Sequence, residues 1–291
     1  ADFDEPIVAP LDGAPVDIIS FDIEGDGKDE IAILYGGVPS IVTVFSMAND
    51  GTPPVLITSL TTQVGNGALD FDSGDLNGDG KEDIVVANAD DGTISVLKTT
   101  VSDGTYIFST TTIPVPGNLH VVTNIAVIDW DSNADADVVV GVDVLDESLQ
   151  DWNQVLLNVA TSSPTQGPTF SVPTYHDGLT EQIDSSSATD GLGSGFVCGT
   201  TFGGIYSASS ESNTLQLLGH LEGNKITSID AIDFDDNGGD GLLDLVVASD
   251  DAQSIYLLQG DATESRGFGY LIPISISEKV YDVVVTDADG D

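Results

Sequence analysis

The run Asp75-Leu76-Asn77-Gly78-Asp79-Gly80-Lys81-Glu82-Asp83 sets oxygen-bearing side chains at positions 1, 3, 5 and 9, with glycine at position 6 where the chain must turn. A hard cation such as Ca²⁺ takes six to eight oxygens at about 2.3–2.6 Å, and alternate positions of a tight loop can aim several carboxylates at one point. The same arrangement recurs as Asp22, Glu24, Asp26, Gly27 and Glu30. It recurs again as Asp129, Asp131, Asn133 and Asp137, with Ala134 in the glycine's place. Asp235, Asn237, Asp240, Gly241 and Asp244 make a further copy if one of Gly238 and Gly239 is an insertion, and Asp287, Asp289 and Asp291 begin a fifth. Four to five calcium ions are therefore expected. Without them the carboxylates of one loop repel at roughly 4 kcal/mol per close pair at an effective dielectric near 20.

An EF-hand begins with a similar pattern but needs a bidentate glutamate at position 12 and a helix afterwards. Position 12 here is Ile33, Val86 or Val140, each inside a run of strand-forming residues, so that reading fails. One Asp-Asn-Gly cluster alone would be a polar turn. Copies at matching spacing favour the cation.

These loops need elements to present them, and the spacing names the elements. First ligands fall at 22, 75 and 129, then at 235, which leaves room for one damaged copy near residue 184 at a period of about 53. Ser186 to Val197 keeps Asp190-Gly191 but has lost the acids at positions 1, 3 and 9, so no metal is expected there. A period near 50 residues with several strands per unit is the mark of a propeller blade. Within the second repeat, strands are expected at 68–71, 84–87, 93–97 and 106–108, separated by turn residues. The strand after each loop is a continuous apolar run, as for strands buried on both faces. A stretch from Val144 to Trp152 could form one turn of helix. The expected fold is all-β: a propeller of four-stranded antiparallel blades, about five complete, with residues 280–285 opening a split sixth and residues 3–10 supplying an outer strand. Residues 1–291 would form a single domain, incomplete at its C-terminal end.

The pattern Phe71-x-x-Gly74-Asp75-Leu76-Asn77-Gly78-Asp79-Gly80-Lys81-x-Asp83-Ile84-Val85-Val86 resembles the FG-GAP or VCBS repeats of integrin-α-like β-propellers. The resemblance implies a radial propeller, usually of seven blades, with calcium loops between the first and second strands of the blades. Carried over by position, the ligands are the residues named above. Ala134, the extra glycine before Asp240 and the eroded loop at Asp190 depart from the pattern.

Composition narrows the function. The net charge of −43, with only six basic residues, excludes phosphate-binding surfaces built from clustered Lys and Arg, so neither nucleic acid nor direct membrane insertion is expected. No apolar run approaches the ~18–20 residues of a membrane span. Extracellular calcium is plentiful, and Ala1-Asp2-Phe3-Asp4-Glu5 suits a mature N-terminus after signal cleavage, so a secreted or cell-surface location is expected. Cys198, alone in the chain and flanked by Phe196-Val197, reads as a small buried hydrophobe. The first functional reading is a structural or adhesion module that meets other extracellular proteins or copies of itself, as a fibre or homo-oligomer. A glycan-binding propeller using Trp130, Trp152, Tyr175 or Tyr206 is the alternative. An enzyme acting on polysaccharide is weakest, because His120, His176 and His220 stand singly, Arg266 is the only arginine, and neither G-x-S-x-G nor H-E-x-x-H occurs.

Overall fold

The computed structural model describes residues 13–48, 55–102, 105–115, 120–129, 136–144, 154–161, 169–170, 174–177, 180–184, 195–200, 203–209, 216–221, 225–232, 242, 244–249, 254–261, 268–276, 278, 280 and 283. Among these the chain is all strand and turn, with no helix. The first sheet is β1 (Pro15–Phe21), β2 (Glu30–Tyr35), β3 (Ile41–Ala48) and β4 (Val55–Gln63), paired in that order and antiparallel throughout. The second is β5 (Ala68–Gly74), β6 (Asp83–Asn88), β7 (Thr93–Ser102) and β8 (Thr105–Pro114), which contain the four strands expected for that repeat.

The third sheet is β9 (His120–Ile128), β10 (Asp137–Val144) and β11 (Gln154–Thr161), and its outer position is shared by two short strands. β12 (Thr169–Phe170) pairs with one end of β11 and β13 (Thr174–Asp177) with the other. The fourth is β14 (Thr180–Asp184), β15 (Gly195–Thr200), β16 (Gly204–Ser209) and β17 (Gln216–His220). The fifth is β18 (Ile226–Ile232), β19 (Asp244–Ser249), β20 (Ser254–Gly260) and β21 (Phe268–Ser275). Apart from Val144, which ends β10, the stretch expected to hold a helical turn lies outside the described residues, as do residues 3–10.

Sheets follow one another through their first strands: β1 lies against β5, β5 against β9, β9 against β14, and β14 against β18. The second strand of a sheet is thereby enclosed. On β6, Ile84 and Val86 face Phe21, Leu34 and Val44 of the first sheet, while Val85 and Ala87 face Val122, Ile125 and Val140 of the third. Every residue of β6 is buried, which explains the unbroken apolar run. Each such Val or Ile stabilises the stack by about 1.5–3 kcal/mol. A third cluster, with Val197, Ile205 and Leu218 against Leu245, Val247 and Leu258, joins the fourth sheet to the fifth.

Four first strands carry a bulge near their start, at Val16, Leu69, Glu181 and Thr227, and β9 carries one at Thr123. A bulge twists a strand and re-aims the residues beyond it. After the bulge in β5, Asp70 and Asp72 point at the third sheet, and their Oδ2 atoms accept hydrogen bonds from the N–H groups of Ile125 (2.8 Å) and Val127 (2.7 Å). The fifth sheet reaches onward in the same manner, for the Thr227 and Ser228 hydroxyls donate to the carbonyls of Val280 and Val283. Val280 and Val283, in the stretch expected to open a sixth blade, thus lie against β18.

Desolvation between sheets lifts the Asp72 carboxyl to about 6, against the opposing pull of the Val127 and Ser73 N–H groups. Burial and the neighbouring Asp17 raise Asp70 well above the carboxylate range. The folded chain therefore binds the Asp72 proton more tightly than the unfolded chain, where an aspartate titrates near ~3.9. Its contribution to stability is complete below about pH 4 and is lost as pH rises through about 6. Asp72→Asn keeps an oxygen for Val127 but has nothing to titrate. Relative to the unsubstituted protein, the variant is expected to gain stability between pH 4 and 7, on the order of 2 kcal/mol. Urea midpoints measured across that range check this, and a difference that stays flat with pH would rule it out.

Candidate metal centre

Each acidic loop closes a hairpin between the first and second strands of a sheet. The last residue of the first strand pairs with the ninth loop position: Phe21 with Glu30, Gly74 with Asp83, and Ile128 with Asp137. The pairing carries the first-position acids Asp22, Asp75 and Asp129 to the same mouth as their ninth-position partners. Burial then sorts the acids. Asp83, Asp137 and Asp244 are 1 %, 0 % and 3 % exposed at the starts of their strands, whereas Glu24, Asp26 and Asp79 are exposed.

Main-chain N–H groups shape the first two loops. The Asp22 carboxylate accepts from Glu24, Gly25 and Asp26 at Oδ1 and from Gly27 at Oδ2 (2.6 Å). Asp75 accepts from Asn77 and Asp79 at Oδ1 and from Gly80 at Oδ2 (2.8 Å). Desolvation raises the Asp22 carboxyl, but its four N–H donors outweigh it and hold the group below its usual range. This wrapping needs left-handed backbone at two places: φ is +70° at both Gly25 and Gly78, and +79° and +80° at Gly27 and Gly80. The sequence reading found the glycine at position 6 and missed the one at position 4.

The ninth-position acids have a second task. Asp83 accepts from the Thr99 N–H (2.7 Å) and Asp244 from the Gly260 N–H (2.7 Å), so each ties its loop to the third strand of its sheet. Desolvation raises Asp83, partly offset by Thr99 and by the Asn77 amide, which donates to its Oδ2 at 2.8 Å. Glu30 differs: its Oε2 is buried with no hydrogen-bond partner, and desolvation lifts its carboxyl above the usual range.

A donor set made only of carboxylate, amide and carbonyl oxygen suits a hard cation, and the orphaned oxygen of Glu30 lacks a positive partner. The side chains are otherwise engaged locally. Lys28 pairs with Asp26 (2.7 Å) and Lys81 with Asp79 (3.4 Å), both exposed contacts of small worth. Among the described residues no three acidic, histidine or cysteine side chains converge as a finished metal cluster.

Strand pairs flank the fourth and fifth loops. Asp184 pairs with Val197, and the second strand of the fourth sheet begins at Gly195. Ile232 pairs with Asp244, so Asp244 opens the second strand of its sheet as Asp83 and Asp137 do. Asp131, Asn133, Asp235, Asn237, Asp240, Asp287, Asp289 and Asp291 lie outside the described residues, as do Asp190 and Gly191. So do Trp130 and Trp152, while Tyr206 lies in β16 and Tyr175 in β13. His120, His176 and His220 fall on β9, β13 and β17. Cys198 in β15 is buried as expected, and burial pushes its thiol up to about 12.

Antiparallel sheets repeated along the chain, each with an oxygen-rich loop after its first strand, define a repeat protein of blade-like units. Residues 22–86 and 75–140 each match the family model of the FG-GAP-like repeat, each match running from one acidic loop to the strand after the next. Residues 22–140 of the chain thus carry FG-GAP-like repeats. No curated protein matches it.

Gly27 and Gly80 have open space where a Cβ would stand, so alanine there tests backbone strain alone. Gly27→Ala and Gly80→Ala are each expected to cost about 1–2 kcal/mol, with Gly80→Asn milder because asparagine tolerates this region. Gly25→Ala should cost more, since its Cβ would also collide with the carbonyl oxygen of Gly80. Denaturant midpoints report the order, and equal costs for Gly25 and Gly80 would contradict the packing described.

Proposed function

We propose that the chain is a calcium-stabilised β-propeller that serves as an extracellular structural or adhesion module. The observation that carries the reading is the half-buried Glu30 carboxylate, whose Oε2 is enclosed without a hydrogen-bond partner at the mouth of a hairpin whose first, third, fifth and ninth residues all bear side-chain oxygens. Sheets stacked in sequence through their first strands support a radial arrangement, and FG-GAP-like repeats support a propeller. Asp22, Glu24, Asp26 and Glu30 would hold one ion, Asp75, Asn77, Asp79 and Asp83 a second, and Asp129, Asp131, Asn133 and Asp137 a third. A bound ion supplies positive charge that relieves repulsion among these acids and fixes the loop between two strands. The acidic surface suits partners that are other extracellular proteins or further copies of the chain.

If each loop binds with Kd near ~0.2 mM, free calcium at ~2 mM adds about 1.4 kcal/mol per site. Several sites together then rival the whole stability of an ordinary domain, about 5–15 kcal/mol. EDTA is expected to lower Tm sharply, and calcium to restore it better than magnesium, whose rigid octahedral demand suits such loops poorly. A melting curve indifferent to EDTA and calcium would refute the metal reading. The immobilised protein, probed in millimolar calcium with itself and with a glycan panel, separates the module from a lectin: binding to itself supports the module, and glycan binding alone overturns it.

A further inference from the structure

Adjacent loops touch, and the contact falls on the residue that begins the metal site. Asp22, first residue of loop 1, is gripped at both ends of its peptide unit by Glu82 of loop 2: its N–H donates to the Glu82 carboxylate (3.1 Å), and its carbonyl accepts from the Glu82 N–H (3.2 Å). The Ser73 hydroxyl donates to the same Glu82 oxygen at 3.0 Å and steadies it. Gly25 of loop 1 lies so close to the Gly80 carbonyl of loop 2 that no Cβ fits between them. The main-chain half of this contact recurs one repeat later, where the Ala136 N–H donates to the Asp75 carbonyl (3.0 Å). Alanine cannot repeat the side-chain half.

Glu82 is position 8 of loop 2, between the proposed ligands Asp79 and Asp83, and its own carboxylate is turned away toward loop 1. An ion that orders Asp79 and Asp83 orders Glu82 with them. A fixed Glu82 fixes Asp22, whose carboxylate organises the N–H groups of residues 24–27. We propose that Glu82 couples the first two loops, so that filling loop 2 raises the cation affinity of loop 1, and by reciprocity filling loop 1 raises that of loop 2. This rests on the calcium reading above. Glu82 acts as a positioning residue and not as a ligand. One electrostatic effect opposes it, because each bound dication lowers the negative potential felt by the next, and salt near 0.15 M limits that opposition through a Debye length of about 8 Å.

The test is a cycle read by NMR at that ionic strength, with the Gly27 amide reporting calcium at loop 1. Asp79→Ala, which disables loop 2, is expected to weaken binding at loop 1 by about fivefold or more when Glu82 is present. In the Glu82→Ala background the same substitution is expected to change it by less than about twofold, since the altered loop charge is common to both arms and only the link differs. A Glu82 that merely fastens sheets would lower stability equally in all forms and leave the two ratios alike, which overturns the proposal. So does a loop 1 affinity indifferent to Asp79→Ala when Glu82 is present. If calcium at any concentration leaves both the Gly27 and the Gly80 amide unmoved, the calcium reading itself falls and takes the coupling with it. Should Glu82→Ala not fold, hydrogen exchange on the protein with Glu82 intact decides: in calcium, Asp79→Ala should speed exchange of the Asp22 amide, and an unchanged rate overturns the link.

Discussion

A strand buried on both faces cannot stand in an isolated sheet. Ile84 and Val86 need the first sheet and Val85 and Ala87 need the third, so the second sheet is stable only between neighbours. The same alternation on β19 sends Leu245 and Val247 toward the fourth sheet and leaves Val246 and Ala248 on the opposite side. Stacking is therefore a condition for each sheet to exist. Since each second strand begins at the ninth position of a loop, stacking also sets the loops side by side, and their contacts follow from the packing of the core.

The polar groups caught in this stack answer a problem that the apolar strands create. The first strand β9 meets the preceding sheet with the main-chain N–H groups of Ile125 and Val127, and an unpaired buried N–H costs about 1–3 kcal/mol. Asp70 and Asp72 satisfy Ile125 and Val127 from across the interface, at the expense of desolvating two carboxyls close to Asp17. The carboxyls respond by holding protons more tightly. At the loops the opposite solution operates: Asp22 and Asp75 each gather several N–H donors, and at Asp22 these hold the carboxyl below its usual range. One residue type thus does two jobs, decided by whether it lies between sheets or at their mouths.

Much of this was legible from local pattern. The oxygen-bearing side chains at positions 1, 3, 5 and 9, the apolar run after each loop and the turn residues between strands all reside within one repeat, so they located β5 to β8 and the first three hairpins. What escaped lay in relations between repeats or in backbone detail. The bulges at Val16, Leu69, Glu181 and Thr227 carry no common residue type, because a bulge constrains dihedral angles and not chemistry. Gly25 and Gly78 stood in plain sight at position 4, but their need for positive φ appears only once the carboxylate of position 1 is seen to collect the loop's N–H groups. Glu82 looked like one more acid, since its partner is sixty residues away.

The loops are consequently unequal in a way that composition alone does not reveal. Loops 1 and 2 share a side-chain and a main-chain link, while loops 2 and 3 share the main-chain link through Ala136. In the fourth hairpin the second strand begins at Gly195, and in the sequence from 186 to 195 only Asp190 carries a carboxylate. An interaction passed from loop to neighbouring loop has nothing to order at that hairpin. The first three loops then form one connected group, while in the fifth sheet Asp244 is tied to Gly260 of the same sheet.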